Sequence, residues 1–445
     1  MKFNEKLMDK MLPIATWVAE NKYLLAVRDG CMLAFPPTMF ASIAIIIQNL
    51  PTTFGLTDYL PAALIEFLNG FFGPVANATM NISTLFVVFG IAYNLAKNYG
   101  KSQLYAGAIA ISSFLMLIPM ESLESGTFIP LSKFGAEGMF IGMIVAILST
   151  EVFCRLERAN IKIKMPSQVP PAIGKSFETI IPGSAALLIM TIIRFIFTYT
   201  PWGNAVDFVY EVLQLPLQGI GASLPAVIAV VALTQFFWWF GIHGTILVNS
   251  VVEPIYSALS LENFTAYSNG QDLPNILTST FKGVFVDAGL IFGIALACII
   301  LIARSKRLKT TMRLLAAPAF FNISEPFTFG LPIVLNPTII IPWILAPVVM
   351  VIISYFAIST GIVPKTNGAT IVWSTPVFLS GILATGSISG GILQLVNILV
   401  GVCIWYPFLK MLDKQYLADE KEETKKADEK TDQIENESIE MKNNN

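Results

Sequence analysis

Two ionisable side chains sit where their neighbours leave them little water. Glu325 lies in FFNISEPFTFG (residues 320–330), behind a run from Leu314 without formal charge and ahead of another from Pro326 to Pro364. A carboxylate so placed can orient a hydroxyl group or take its proton; it can equally lie at an interface, snorkelling or capping a helix. Asn322 and Ser324 add hydrogen-bonding capacity beside it, while Pro326 removes one backbone donor and biases Glu325 away from helical geometry. His243, the only histidine, stands in FFWWFGIHGTI (236–246). One imidazole cannot assemble a metal site, and a lone histidine is more often structural than a ligand. Here Gly241 and Gly244 predict a broken backbone around it, and Trp238 and Trp239 offer flat apolar faces. Such faces with a few convergent polar groups suit sugars; the competing reading is an interfacial aromatic belt.

The elements that must carry these groups follow from composition. Of 445 residues, 54% are hydrophobic and 13% charged, against roughly 25% charged in an average soluble domain. Cys31 to Leu50 is long and apolar enough to cross a bilayer, which takes about 20 residues. Further candidates follow at Asn77 to Asn94, Leu104 to Met120, Gly138 to Thr150, Ile180 to Ile193 and Ala288 to Ala303. Pro36 and Pro37 should kink the first span. The N-terminus, MKFNEKLMDKMLPIATW, has no small-residue cleavage site after a short apolar core, and reads as an amphipathic cytoplasmic lead-in over residues 1–25. Cys31, Cys154, Cys298 and Cys403 have no paired spacing, which argues against a zinc site or disulfide framework.

Lys and Arg are retained on the cytoplasmic side of membranes. They cluster here at the N-terminus, at Lys97 and Lys101, from Arg155 to Lys175 and from Arg304 to Arg313, whereas 51–76 and 195–223 contain none. An N-inside topology with five crossings up to residue 199 fits that distribution. Three later uncharged runs, Val212 to Val252, Pro326 to Pro364 and Thr366 to Leu409, are each too long for one helix. All carry internal glycine or proline breakers, and irregular backbone at membrane depth is tolerated only where it is buried in protein or lines a cavity. The transport site is therefore expected in the C-terminal half. After Leu412 the chain turns polar and charged, and residues 413–445 are expected to be a disordered cytoplasmic tail. Arg28 with Asp29, Glu151 with Arg155, Arg194 and Asp287 are assigned to span ends. Neither a Walker A motif nor a dinucleotide fingerprint nor a metal cluster is present in the sequence, so no ATP-driven engine, cofactor or metal is expected.

RDG at 28–30, WWFGIHG at 238–244, NISEPFTFGLPIVLNP at 322–337 and VWSTPVFLSGILATG at 372–386 occur in that order. Together they resemble the membrane component IIC of the lactose/cellobiose/chitobiose family of bacterial phosphotransferase systems, over roughly residues 5 to 412. That resemblance implies an all-α polytopic protein of the bacterial cell membrane, with about ten transmembrane helices, two re-entrant hairpins and amphipathic interfacial helices. It implies a homodimer with both termini cytoplasmic, residues 26–200 at the dimer interface and residues 201–412 holding the sugar. It further implies group translocation: the 6-hydroxyl of a β-linked disaccharide is phosphorylated by the phosphocysteine of a separate IIB protein, charged through IIA, HPr and enzyme I. In similar proteins the His and Glu of these motifs lie beside that hydroxyl, which assigns His243 and Glu325 as catalytic candidates. Asn322, Ser324, Trp239, Trp373 and Asn81 are candidate sugar contacts, as polar or aromatic residues beside broken segments. No nucleic-acid partner is expected.

ATGSISGG at 384–391 is simpler and less charged than the family pattern, and FPPT at 35–38 replaces a more apolar continuation. Neither departure touches His243 or Glu325. An ion-coupled sugar symporter would reuse the same Glu and His as a proton relay. A membrane-embedded hydrolase would need a paired catalytic constellation that the sequence does not offer. The preferred disaccharide is left open.

Overall fold

The computed structural model describes residues 13, 16–17, 20–53, 56–57, 59–123, 126–166, 169–331 and 333–443. Within these, the side chains of Thr52, Thr53, Leu123, Ala172, Glu325, Phe329 and residues 426–443 lie outside the description. Most of the N-terminal lead-in, residues 1–25, also falls outside it.

Helices dominate. The first part of the chain holds α1 (Lys22–Leu33), α2 (Phe35–Thr53), α3 (Ala62–Asn77), α4 (Ser83–Asn98), α5 (Gln103–Leu117), α6 (Met139–Arg158), α7 (Pro171–Glu178) and α8 (Ile180–Phe197). The proline pair at 36–37 acts as expected, since α1 ends and α2 begins around a turn at Ala34. α1 packs against α4 at close range because two glycines meet: a Cβ on Gly90 would lie 2.8 Å from the Cα of Gly30. Small residues at membrane-helix contacts permit this backbone approach. The connection after α5 contains a short antiparallel hairpin, β1 (Glu121–Leu123) with β2 (Gly126–Phe128), pairing Glu121 with Phe128. It is the one departure from an all-helical chain among the described residues.

The second part holds α9 (Ala205–Val209), a π-helical turn, α10 (Leu215–Gly221), α11 (Leu224–Trp239), α12 (Gly244–Ser268), α13 (Ser279–Lys282), α14 (Leu290–Ala297), α15 (Lys306–Phe320), α16 (Glu325–Gly330), α17 (Ile340–Ser359), α18 (Leu379–Thr385) and α19 (Ile388–Asn443). Each of the three overlong uncharged runs is broken, as expected. Val212 to Val252 is divided around residues 240–243, Pro326 to Pro364 contains a non-helical stretch rich in turns between α16 and α17, and Thr366 to Leu409 begins with non-helical chain before α18.

Seven helical runs among the described residues are long and apolar enough to cross a bilayer: Lys22–Pro51, Ala62–Asn98, Met139–Arg158, Ile173–Phe197, Ser279–Ile302, Ile340–Ser359 and Ile388–Lys425. The pair Ala205–Gly221 and Leu224–Trp239, bent by 72°, makes an eighth if it counts as one span. The implied figure of about ten is not reached on these criteria. α5 is shorter, and α12, which carries Glu253, Glu262 and Asn263, is not among the seven.

α15 is amphipathic, burying Leu308, Met312, Leu315 and Ala319 while Lys306, Arg307 and Arg313 stay exposed. Its first turn is tied to α19: the Asp413 carboxylate accepts from the N–H groups of Arg304 and Ser305 and from the Ser305 hydroxyl at 2.7–3.1 Å. The polar tail differs from expectation, because α19 continues as helix to Asn443. Its Lys- and Glu-rich composition favours helix even without a core to bury against.

Three main apolar cores result. One, built on α1 and α4 to α6, also takes in Ala258, Leu261 and Phe264 of α12 together with Ala369. A second gathers Trp238, Trp239, Phe327, Ile333, Trp343 and Trp405. A third joins Val227, Tyr256, Leu259 and Phe285. α12 therefore contributes to the first and third cores at once.

Candidate functional site

The break that carries His243 is built by Gly241 and by two tryptophans. Gly241 adopts φ +77°, open to glycine at little cost. The carbonyl of Trp239 accepts from Leu335 N–H at 2.9 Å, and its indole Nε1 donates to the carbonyl of Asn336 at 2.8 Å. The WWFGIHG break and the segment following NISEP are thus fastened to each other. His243 caps α12: its Nδ1 accepts from Ile246 N–H at 3.3 Å, so the proton of the neutral ring belongs on Nε2. The imidazole lies on Trp238, with ring centroids 4.2 Å apart. Trp238 in turn donates from Nε1 to the Thr245 hydroxyl at 3.0 Å.

The NISEP segment starts where α15 ends. Asn322 takes the left-handed φ of +60°, a region that asparagine visits more readily than most residues. α16 then begins at Glu325 itself, contrary to the expectation that Pro326 would push that residue out of helix. The reason is position: Pro326 occupies the first turn, where its missing N–H has no intrahelical partner to lose. The carbonyl of Ser324 receives Phe327 N–H at 3.1 Å and Thr328 N–H at 3.0 Å, starting that turn. The backbone of Glu325 is placed by this turn, while its side chain lies outside the described residues.

Asn322 uses its whole amide on protein. Oδ1 accepts from Gly289 N–H at 2.9 Å, and Nδ2 donates to the carbonyls of Trp373 at 2.9 Å and Thr375 at 3.0 Å. Of the other sugar-contact candidates, Trp373 is 63% exposed, whereas Trp239 is only 5% exposed. Asn81 is not brought near His243 along the chain. Its Oδ1 accepts from the Thr265 hydroxyl at 3.2 Å, about six helical turns along α12 from His243.

Sequence reasoning misplaced Asp287. It lies inside the run Ser279–Ile302, beyond a π-helical turn at Gly283–Asp287, and pairs with Lys282 at 2.6 Å. Lys282 is 5% exposed. Glu253, on α12, accepts from the Ser257 hydroxyl at 2.8 Å and lies near enough to interact with Lys282. The expected span began at Ala288, and a run counted from one charge to the next cannot include a pair that neutralises itself within a span. The carbonyls freed by the π turn are also satisfied. Gln394 donates to Val284 O at 2.8 Å and Asn397 to Phe285 O at 2.9 Å. Broken backbone at this depth needs such partners because lipid supplies none. Gln394 Oε1 also accepts from the N–H groups of Phe378 at 2.9 Å and Gly381 at 2.7 Å. Among the described residues, no group of three His, Cys, Asp or Glu side chains could hold a metal ion.

The broken segments around residues 240–243, 287–289, 321–336 and 373–378 thus form one hydrogen-bonded assembly, in which polar side chains replace lipid-inaccessible water. Comparison with known proteins identifies the family. Residues 28–347 match the family model "Phosphotransferase system, EIIC". The chain is 42% identical to the oligo-beta-mannoside-specific EIIC component of Bacillus subtilis (strain 168), over 94% of this chain and 96% of that protein. It is 39% identical to the cellobiose-specific EIIC component of Geobacillus stearothermophilus, over 94% and 96%. The crystal structure of the transporter ChbC, the IIC component from the N,N'-diacetylchitobiose-specific phosphotransferase system, superposes with a TM-score of 0.88 at 40% identity, covering 93% of this chain and 99% of that one. With a family model spanning most of its length and relatives matched nearly end to end, this multi-span membrane protein belongs to the EIIC family of sugar phosphotransferase systems.

Proposed function

We propose that the chain binds a β-linked disaccharide of the cellobiose, chitobiose or β-mannoside type and presents its 6-hydroxyl to the phosphocysteine of a separate IIB protein. Family membership supports the phosphotransferase mechanism over an ion-coupled symporter. The observation that carries the site assignment is the fastening of the WWFGIHG break to the NISEP segment through Trp239, Leu335 and Asn336. It puts the motifs of the only histidine and of Glu325 in one assembly.

In this reading Glu325 orients the hydroxyl and accepts its proton, and His243 offers a hydrogen bond from Nε2 to the same oxygen. Phosphoryl transfer depends chiefly on alignment and on stabilising spread charge, so few protein groups are required. The sulfur–phosphorus bond of the partner breaks as the sugar oxygen bonds to phosphorus, and the hydroxyl proton passes to the carboxylate. The charged product fits poorly in a site made for a neutral sugar and leaves toward the cytoplasm. The protein works as a homodimer with both termini cytoplasmic, its IIB partner recharged through IIA, HPr and enzyme I.

The test is phosphoenolpyruvate-dependent phosphorylation of a panel of β-linked disaccharides by the reconstituted chain with its partner proteins. Phosphorylated sugar should appear inside vesicles only when the partners are present. Uptake of unmodified sugar driven by an imposed ion gradient would refute the reading. Glu325→Gln should abolish transfer; full activity in that variant would remove the carboxylate from the base role.

A further inference from the structure

Asn322 stands three residues before Glu325 and makes three hydrogen bonds to two segments that are remote in sequence. Gly289, on one side, has φ +84°, and its N–H is freed where the helical run breaks after Asp287. Trp373 and Thr375, on the other, lie in turning chain whose carbonyls receive both amide hydrogens. The short connector holding Asn322 is also pinned behind, since Asn322 N–H donates to Ala319 O at 3.0 Å and Ile323 N–H to Pro318 O at 3.1 Å. An amide has one acceptor oxygen and two donor hydrogens, and every one of these is engaged. A side chain committed in this way sets positions.

We propose that Asn322 is a positioning residue for phosphoryl transfer. It fixes the start of α16, and with it the backbone of Glu325, against the Trp373 loop and the Gly289 joint. The proposal rests on the reading of Glu325 given above. A hydrogen bond from each flank defines where the α16 turn begins, and the first residue of that turn is the reacting carboxylate's own. Misplacement of a reacting group by about 1 Å can cost on the order of 100-fold in rate. Sugar binding draws on contacts distributed over the whole site and is far less sensitive to such a shift.

Two substitutions separate the amide from the backbone it sits on. Asn322→Gly keeps the left-handed conformation without strain and removes all three bonds. Asn322→Asp is nearly isosteric, keeps an acceptor for Gly289 and replaces both donations by repulsion from carbonyl oxygens. The full chain, purified with its phosphorylated IIB partner, is assayed for disaccharide Kd by calorimetry and for single-turnover transfer. Asn322→Gly should leave Kd within about threefold and slow transfer at least about tenfold, with Asn322→Asp slowed as well. Unchanged transfer in Asn322→Gly would overturn the proposal. So would Kd and transfer weakening by the same factor, which is the mark of a sugar contact or of general damage. If Asn322→Gly fails to fold, the same two measurements on Asn322→Asp decide. Glu325→Gln run in parallel reports separately on the base: full transfer there sinks the carboxylate's role, whereas the Asn322 comparison still reads whether the connector governs alignment.

Discussion

Lys282 and Asp287 form an ion pair of 2.6 Å inside a helical run long enough to span a membrane, and the two partners are unequally shielded: the lysine side chain is 6% exposed and the aspartate 37%. Removing the aspartate therefore strands the deeper charge. Asp287→Ala should cost about 3 kcal/mol, at the lower end for a broken buried pair because Glu253 stays nearby. Lys282→Met should cost less, and the double variant Lys282→Met with Asp287→Leu less than Asp287→Ala alone. Thermal melts of the detergent-solubilised proteins check the order; equal losses from both single variants would contradict it.

Gln394 is 2% exposed and supports both the π turn, through Val284 O, and the start of α18, through Phe378 and Gly381. Gln394→Leu, similar in size, leaves those three backbone groups unpaired. A loss of several kcal/mol is expected, at about 1–3 kcal/mol per buried unsatisfied group. Hydrogen exchange should rise at Phe378 and Gly381 before it rises in α4, and uniform protection in the variant would refute the assignment.

Gly289 combines φ +84° with neighbours that leave no room for a methyl group, since a Cβ there would run into Val377 and lie 2.8 Å from Ile398. Gly289→Ala should therefore lose expression of folded protein, with at least about 1–2 kcal/mol from backbone conformation alone. Trimming the obstacle in Gly289→Ala with Val377→Ala should recover part of the yield. No recovery would mean that backbone strain, not the collision, dominates.

The two tryptophans proposed as sugar contacts should behave oppositely. Trp239 is held in a core and by Asn336, so Trp239→Phe should lower the melting temperature by removing a bond worth about 1 kcal/mol. Trp373 is exposed, and Trp373→Ala should weaken disaccharide binding about threefold to tenfold, as loss of a ring face worth about 0.5–1.5 kcal/mol implies. The melting temperature should hardly move. Titration calorimetry beside thermal melts separates the two effects, and a Trp373→Ala variant with unchanged Kd would exclude that ring from the site.

Glu325 and His243 stand out in the sequence as candidates because rare ionisable groups among apolar residues have few places to go. The breaks around them were legible too, since glycine and proline mark where helix fails. Asp287 was not legible as an interior charge, because counting runs between charges treats every charge as an end. The bonding of Asn322 was hidden for another reason. Its partners, Gly289, Trp373 and Thr375, come together only in three dimensions, and backbone carbonyls leave no trace in residue type. The helical tail escaped because composition reported the lack of a core and was silent about continuation from α19.

The first core contains Ala369 as well as residues of α12, and Thr370 N–H donates to the Ser42 hydroxyl at 2.6 Å. A ribosome therefore delivers the last pieces of the N-terminal bundle only when most of the chain has emerged. Until then the earlier helices must wait in the membrane with an unfilled face, so assembly of this protein is a retroactive event, closed from its far end.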